Sequence, residues 1–427
     1  MHTLMSKRLI LEVSPMQAVK LMSVLLSFFS ISLLTFNASV NAASLTWQAD
    51  LPPLPAAMGE EIQHGVAGAF SGVLTKTTAQ GSMSEVLIIA GGANFSKTPL
   101  IDGIKADSAP QKIYHQAIFL LSKDANNQAR WQQANISLPK GAAYGESFST
   151  EQGIFLLGGE VTQTDGTVQH SSDMALIAYQ QGKLTYRKIG TMPFTFAKGG
   201  GAYHQGKIYL VGGMQDGETA NHVYSYDIKT TTWQKETSYP GTSRVSPLAS
   251  IHFEPITQTS RLFIFSGFST QNQKNIALDD ALSFNITNKS EPWQHMGSIK
   301  ILQDNQQSLI GAAAIQVGPQ QTLFLGGYNK KTWDDWLAQY QSVKGTAQEK
   351  GTKIAFFSQP PQSFNWNKAA LLFDSSDQTW TNLGDSPFLP NCGAAIASWQ
   401  NSIVLLNGEI KPGVRTASVK TAYFNAK

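Results

Sequence analysis

Hydrophobic and polar residues fall in blocks along this chain, and one block recurs. An apolar run ending in a glycine doublet, or a close variant, occurs six times: VLIIAGG (86–92), IFLLGGE (154–160), IYLVGGM (208–214), LFIFSGF (262–268), LFLGGY (323–328) and IVLLNGE (403–409). Each run is strand-length and has no polar interruption, which predicts a strand buried on both faces. Each follows a segment rich in Gly, Ala and Ser: GVAGAFSGVL, AAYGESFS, GGGAYHQ, PLASIHF, IGAAAIQV and CGAAIAS. After most copies come a third strand with an aromatic and a fourth with Trp, as in Tyr226 with Trp233 and Phe373 with Trp380. The doublets permit backbone conformations and close approaches that a Cβ would block. Self-similarity of this kind marks a repeat fold.

The pattern resembles the Kelch repeat, which implies an all-β chain folded as a six-bladed Kelch-type β-propeller. The small-residue strand is then innermost, where strands crowd the channel. The last copy lacks a fourth strand, because TASVKTAYFNAK supplies only a third before the sequence ends. SLTWQADLPPLP (44–55) reads like the other fourth strands, with Trp47 as its tryptophan. The N-terminal strand is therefore expected to complete the last blade and remove an open sheet edge. One insertion, about residues 328–367, interrupts the fifth blade. In it Trp333, Trp336, Leu337 and Tyr340 recur at i, i+3, i+4 and i+7, the spacing of a short amphipathic helix. Such a helix either caps the propeller mouth or packs on the outside.

Residues 1–42 have a different character. Lys7, Arg8 and Lys20 precede an apolar run over 21–36, and Val40 and Ala42 stand at −3 and −1 of a cut before Ala43. This is the layout of a secretory signal peptide, with Met16 as an alternative start. The run is shorter than the roughly 20 residues a membrane span needs, so no stable membrane insertion is expected after cleavage; a retained anchor is the other reading. Residues 43–427 then form the propeller. Removing Lys7, Arg8, Lys20 and Glu12 takes the net charge from +3 to +1. No polybasic run points to nucleic acid. Cys392 is the only cysteine, so an intrachain disulfide is excluded, and its apolar surroundings read as core. The eight histidines, His64 and His115 among them, show no metal-ligand spacing. There is no phosphate loop and no Gly-x-Ser-x-Gly elbow. No metal or cofactor is expected.

Blade connectivity places the loops entering strand one and leaving strand two on one face. Asn94, Glu160, Asn329, Glu409 and Arg415 follow the doublets, while Lys198 and Arg244 lie on entry loops. These residues are expected around one concavity, the usual form of a ligand site. Each also has a plainer reading. Glu160 suits a turn cap or a lysine pair, Lys198 and Arg244 suit solvated rim charges, and Asn94 and Asn329 suit turns. Glu409 and Arg415 suit a structural pair across Lys411-Pro412-Gly413.

NGEIKPGVRT (407–416) resembles a motif of the N-acetylneuraminate epimerase, or sialic acid mutarotase, family. Similar segments are GVAGAFSG (65–72), AYG (143–145), GGE (158–160), the YN after the fifth doublet, Lys198 and Arg244. The resemblance implies a periplasmic isomerase that interconverts anomers of a sugar acid, with Glu409 as catalytic base and Arg415 on the substrate carboxylate. It extends substrate binding to Arg244, Lys198, Asn94, Glu160 and Asn329, and needs no metal or redox cofactor. The blade order departs from the family's, since GVAG comes first and NGE last, as in a cyclically permuted branch. Two local departures are Ala142 where the family has Arg before AYG, and NKKTW in place of NQNIF. A Kelch propeller that binds acidic glycans or a protein without catalysis is the alternative.

Overall fold

The computed structural model describes residues 42–426 apart from 59–63, 78–82, 98, 272–273, 302–304 and 307. The expected signal peptide, save Ala42, lies outside these residues. Among the described residues, no helix is long and apolar enough to cross a membrane.

The fold is all-β and propeller-like, but it is not the expected set of six Kelch blades. Five sheets have four strands each. They comprise Phe70–Thr77, Met83–Ala90, Ala117–Lys123 and Ala129–Ser137; Gly200–His204, Lys207–Val211, Val223–Asp227 and Thr232–Lys235; Leu248–Glu254, Thr259–Gln271, Lys274–Asn285 and Gln294–Ser298; Ala313–Gly318, Gln321–Leu325, Ala369–Asp374 and Thr379–Asp385; and Ala395–Trp399, Ser402–Leu406, Val419–Asn425 and Ser44–Trp47. The region expected to be a further blade instead belongs to an eight-stranded sheet. Its two longest strands, Val168–Gln180 and Lys183–Ala197, have 13 and 15 residues. They outrun the five-residue strand Gly153–Leu157 beside them. Their surplus length pairs with Glu160–Thr162 and with Met214–Gln215, which joins the next region to the same sheet. The glycine doublets mark only where a buried strand ends; they carry no information about how far its neighbours extend.

The chain ends meet in one sheet, where Ser44–Trp47 pairs antiparallel with Val419–Asn425 and Trp47 lies opposite Ala422. Hydrophobic clusters fill the spaces between neighbouring sheets. Phe263 and Phe265 from one sheet meet Phe324, Phe373 and Trp380 of the next. The Phe265 ring lies edge-on to Phe324 at 4.9 Å and to Trp380 at 5.7 Å. Each such buried ring contributes about 1.5–3 kcal/mol by leaving water.

Left-handed residues at the entry loops surround the central channel. Gly68, Tyr144, Lys198, Ser246, Gly311 and Gly393 have φ of 65°, 61°, 51°, 52°, 68° and 61°. Backbone hydrogen bonds link them in series. Tyr144 N–H donates to Gly68 O at 2.8 Å, Lys198 to Tyr144 at 2.7 Å, Ser246 to Lys198 at 2.7 Å, Gly393 to Gly311 at 2.7 Å and Gly68 to Gly393 at 2.9 Å. The doublets pack against these loops: a Cβ on Gly213 would sit 2.6 Å from the Gly199 backbone. Three of the positions are glycine. Tyr144 and Lys198 hold the same conformation with large side chains, which is uncommon for non-glycine residues. Backbone strain of this kind concentrates at functional sites.

The insertion forms the helices Lys330–Val343 and Glu349–Phe357 and a short 3-10 turn, Pro361–Phe364. Trp336 and Leu337 are the buried residues of the first helix. Trp336 stacks on Phe356 of the second with centroids 3.9 Å apart. The insertion lies against the loop that carries Glu409: Lys411 Nζ donates to the carbonyls of Phe357 and Gln359 at 3.2 and 2.9 Å.

Candidate functional site

Glu409 and Arg415 face each other across a two-stranded ribbon, Glu409–Lys411 with Val414–Arg415. The ribbon turns at Gly413, whose φ is +82° and whose N–H donates to Glu409 Oε1 at 2.8 Å. A Cβ there would stand 2.5 Å from Leu100 Cβ, so glycine serves both the turn and the packing. The Cys392 backbone holds the ribbon's base: Glu409 N–H donates to Cys392 O at 2.7 Å, and Cys392 N–H returns a bond at 2.9 Å. Burial pushes the Cys392 thiol well above its usual range. A buried neutral thiol is a packing group and not a nucleophile.

The Glu409 carboxylate is held on both oxygens. Arg415 Nη1 lies 2.6 Å from Oε1, and the Tyr328 hydroxyl donates to Oε2 at 3.1 Å. Burial and the Glu409 charge keep the Tyr328 phenol protonated. The Arg415 guanidinium lies over Phe95, 4.8 Å from the ring centroid. Nη1 meets Glu409 at ion-pair distance but off the hydrogen-bond direction, and Nε is buried without an acceptor among the described residues. Arg415 therefore keeps donor capacity beyond its carboxylate partner.

A second charged group adjoins this one. Glu160 is buried, and its carboxylate accepts from the Tyr114 hydroxyl and pairs with Lys198. Burial opposes its ionisation, but Lys198, Tyr114 and the Lys112 charge outweigh burial and hold the pKa below the usual carboxylate value. Tyr144 bridges the two groups. It lies near enough to Arg415 to feel its charge, and its ring lies under the ammonium groups of Lys112 at 4.9 Å and Lys198 at 5.9 Å. Burial, the largest influence, helps push its phenol up to about 12, so it stays neutral. The site thus holds three cations, Lys112, Lys198 and Arg415, against two carboxylates, Glu160 and Glu409. Its excess of one positive charge suits a singly charged anion. Below it the channel opens into a cavity of about 390 Å³, lined by Tyr144 and Lys198 but not by Glu409 or Arg415. Among the described residues, no cluster of side chains has the makeup of a metal site.

The other residues expected at the mouth have different partners. Asn94 is buried, donates to Gly65 O at 2.9 Å and accepts from Ser96 N–H at 3.2 Å. Asn329 caps the Lys330–Val343 helix by accepting from Thr332 N–H at 3.1 Å. Arg244 is 1% exposed and grips Asp280 with two bonds of 2.6 and 3.0 Å. His64 is exposed, whereas His115 lines a small apolar cavity with Leu54 and Phe119. The sequence expectations omitted Lys112 and Tyr114, and gave Tyr144 and Tyr328 no role although both stand in the family-like segments AYG and YN. One signal was available for the first two: Lys112 and Tyr114 stand at i and i+2 of an extended segment, so they share a face. Replacing Asn329 by Ala is expected to cost about 1 kcal/mol locally. Faster hydrogen exchange in the first turn of the helix, with an unchanged KM, is the expected reading; a raised KM with unchanged exchange would return Asn329 to ligand binding.

Comparison with known proteins supports a family. A sequence profile described as N-acetylneuraminate epimerase matches residues 33–186 and 191–427. The N-acetylneuraminate epimerase of Yersinia enterocolitica is 28% identical over 232 residues, 53% of this chain and 55% of that protein. That of Vibrio cholerae is 30% identical over 238 residues, covering 55% and 58%. A Vibrio cholerae Kelch domain-containing protein is 25% identical over 246 residues, covering 56% and 65%. The solved structure of YjhT aligns with a TM-score of 0.45 and 21% identity over 52% of this chain and 61% of that one. The chain thus spans little more than half the length of the curated relatives it matches. The family profile, by contrast, runs through almost all of the described residues, and on that match this chain belongs to the N-acetylneuraminate epimerase family.

Proposed function

We propose that this protein is a periplasmic mutarotase that interconverts the α- and β-anomers of N-acetylneuraminate, and that it represents a cyclically permuted branch of its family. The observation that carries the reading is the Glu409–Arg415 ribbon: a fixed carboxylate beside a guanidinium whose Nε is buried without an acceptor among the described residues, in a site with one excess positive charge. The order of the family-like segments, GVAG first and NGE last, supports the permutation. The signal-like leader supports the compartment.

The chemistry needs two proton movements. Glu409 takes the proton of the anomeric hydroxyl. The bond from the anomeric carbon to the ring oxygen breaks, its electron pair stays on that oxygen, and a donor protonates it. The resulting ketone rotates and recloses on its other face. Arg415 holds the sugar carboxylate through its free donor edge, and Tyr328 and Gly413 keep the Glu409 carboxylate aimed. Fixed acid and base groups typically supply about 10²–10⁴-fold.

The test is NMR of freshly released α-N-acetylneuraminate with and without the protein. Exchange faster than in buffer is expected. Binding with no acceleration would replace the enzyme by a non-catalytic acidic-glycan binder.

A further inference from the structure

Glu409 accounts for one of the two proton movements and leaves the donor to the ring oxygen unassigned. Among the described residues, the Lys112 ammonium is the most loosely paired of the site's three cations. Lys198 is ion-paired with Glu160, and Arg415 lies 2.6 Å from Glu409. The Lys112 ammonium has its nearest carboxylate oxygen, Glu160 Oε2, at 4.0 Å and makes no hydrogen bond to a described residue. It is about one-third exposed. It sits among aromatic faces, 4.9 Å from the Tyr144 ring centroid, 5.8 Å from Tyr114 and 6.0 Å from Phe95. Phe95 is also the ring beneath Arg415, so Lys112 and the carboxylate-binding guanidinium share one wall of the site.

We infer that Lys112 is the proton donor to the ring oxygen, acting opposite Glu409; this role rests on the mutarotase reading. In ring opening, Glu409 accepts the anomeric hydroxyl proton while the Lys112 ammonium gives a proton to the departing ring oxygen and becomes an amine. In reclosure, the amine takes the proton of the attacking hydroxyl and Glu409 returns its proton to the new anomeric oxygen. Both groups end as they began, and no co-reactant is consumed. A primary ammonium is normally too weak an acid for this task near neutral pH. Here burial lowers the lysine pKa; Glu160 works against that shift, Lys198 and Arg415 add to it, and Glu409 opposes it. Rate should therefore fall as pH rises through a value below that of an ordinary lysine.

The decisive variant is Lys112→Arg, which keeps the positive charge but cannot donate a proton at neutral pH, since arginine stays protonated. Anomer exchange by NMR and N-acetylneuraminate binding by calorimetry are measured on wild type and variant. The expected result is affinity within about threefold of wild type and turnover at least about 100-fold slower. Turnover by the variant close to that of wild type would overturn the role and leave Lys112 as a charge that positions the sugar. Should the variant not fold, the wild-type profile decides: a buffer-corrected rate that stays level up to pH 10 overturns the assignment, and a fall below it supports it. A wild type that does not accelerate exchange defeats the mutarotase reading itself, and this role with it, whereas an active wild type with an equally active variant defeats this role alone.

Discussion

Glu409→Gln is expected to slow anomer exchange by about 10²–10⁴-fold, the usual contribution of a positioned base. Glutamine keeps the shape: its Oε1 can still accept from Gly413 N–H, while its amide nitrogen donates to the Tyr328 hydroxyl oxygen, so the ribbon should keep its form, with some stability lost because Arg415 no longer has its ion-pair partner. What it loses is the ability to hold the anomeric proton. It also loses the negative charge facing Arg415. The freed guanidinium should bind the sugar carboxylate at least as well as before, so KM should stay level or fall. A kcat loss without a KM increase is the signature of an interaction used only in the transition state. Saturation transfer between the two anomeric signals measures both parameters. Equal rates in variant and wild type would remove Glu409 as the base.

The second large effect concerns stability. Arg244→Ala removes a guanidinium that is almost fully enclosed, bonded twice to Asp280 and once to Ser266 O at 2.9 Å, and placed over the Tyr239 ring at 5.2 Å. Breaking a buried ion pair from one side costs about 3–5 kcal/mol, because the remaining charge loses its partner. The Asp280 side chain is about one-third exposed, so water recovers part of this and about 3 kcal/mol is expected. A lower urea midpoint should report the loss. Arg244→Lys should rescue only part of it, since an ammonium cannot reproduce the two-pronged geometry. Turnover per folded molecule should be unchanged. A raised KM at wild-type stability would instead place Arg244 on the substrate, where its entry-loop position had pointed.

The two arginines show how far sequence reading reaches. Glu409 and Arg415 stand six residues apart around a Pro-Gly turn, so local backbone geometry brings them together. Glu160 and Lys198 also meet. They come from separate loops that converge because Tyr144 and Lys198 occupy successive positions around the channel. Arg244 has a similar loop position, yet Asp280 from another strand captures its side chain. Asn94 and Asn329 are likewise used by the backbone at their own turns. Loop position does not reveal which partner a polar side chain will meet.

The sequence by itself determined the all-β character, the small-residue strands around the channel, the turn joining Glu409 to Arg415, and the apolar face of the insertion helix. These follow from short-range rules: strand burial, glycine geometry and helical spacing. Only the tertiary structure decided that one region would join an eight-stranded sheet, that Tyr328 would steady Glu409, and that Lys112 would stand within the charged cluster. Sheet membership depends on how far neighbouring strands extend, and a side chain's charge environment depends on residues far away along the chain. Neither is written in the spacing of any one segment.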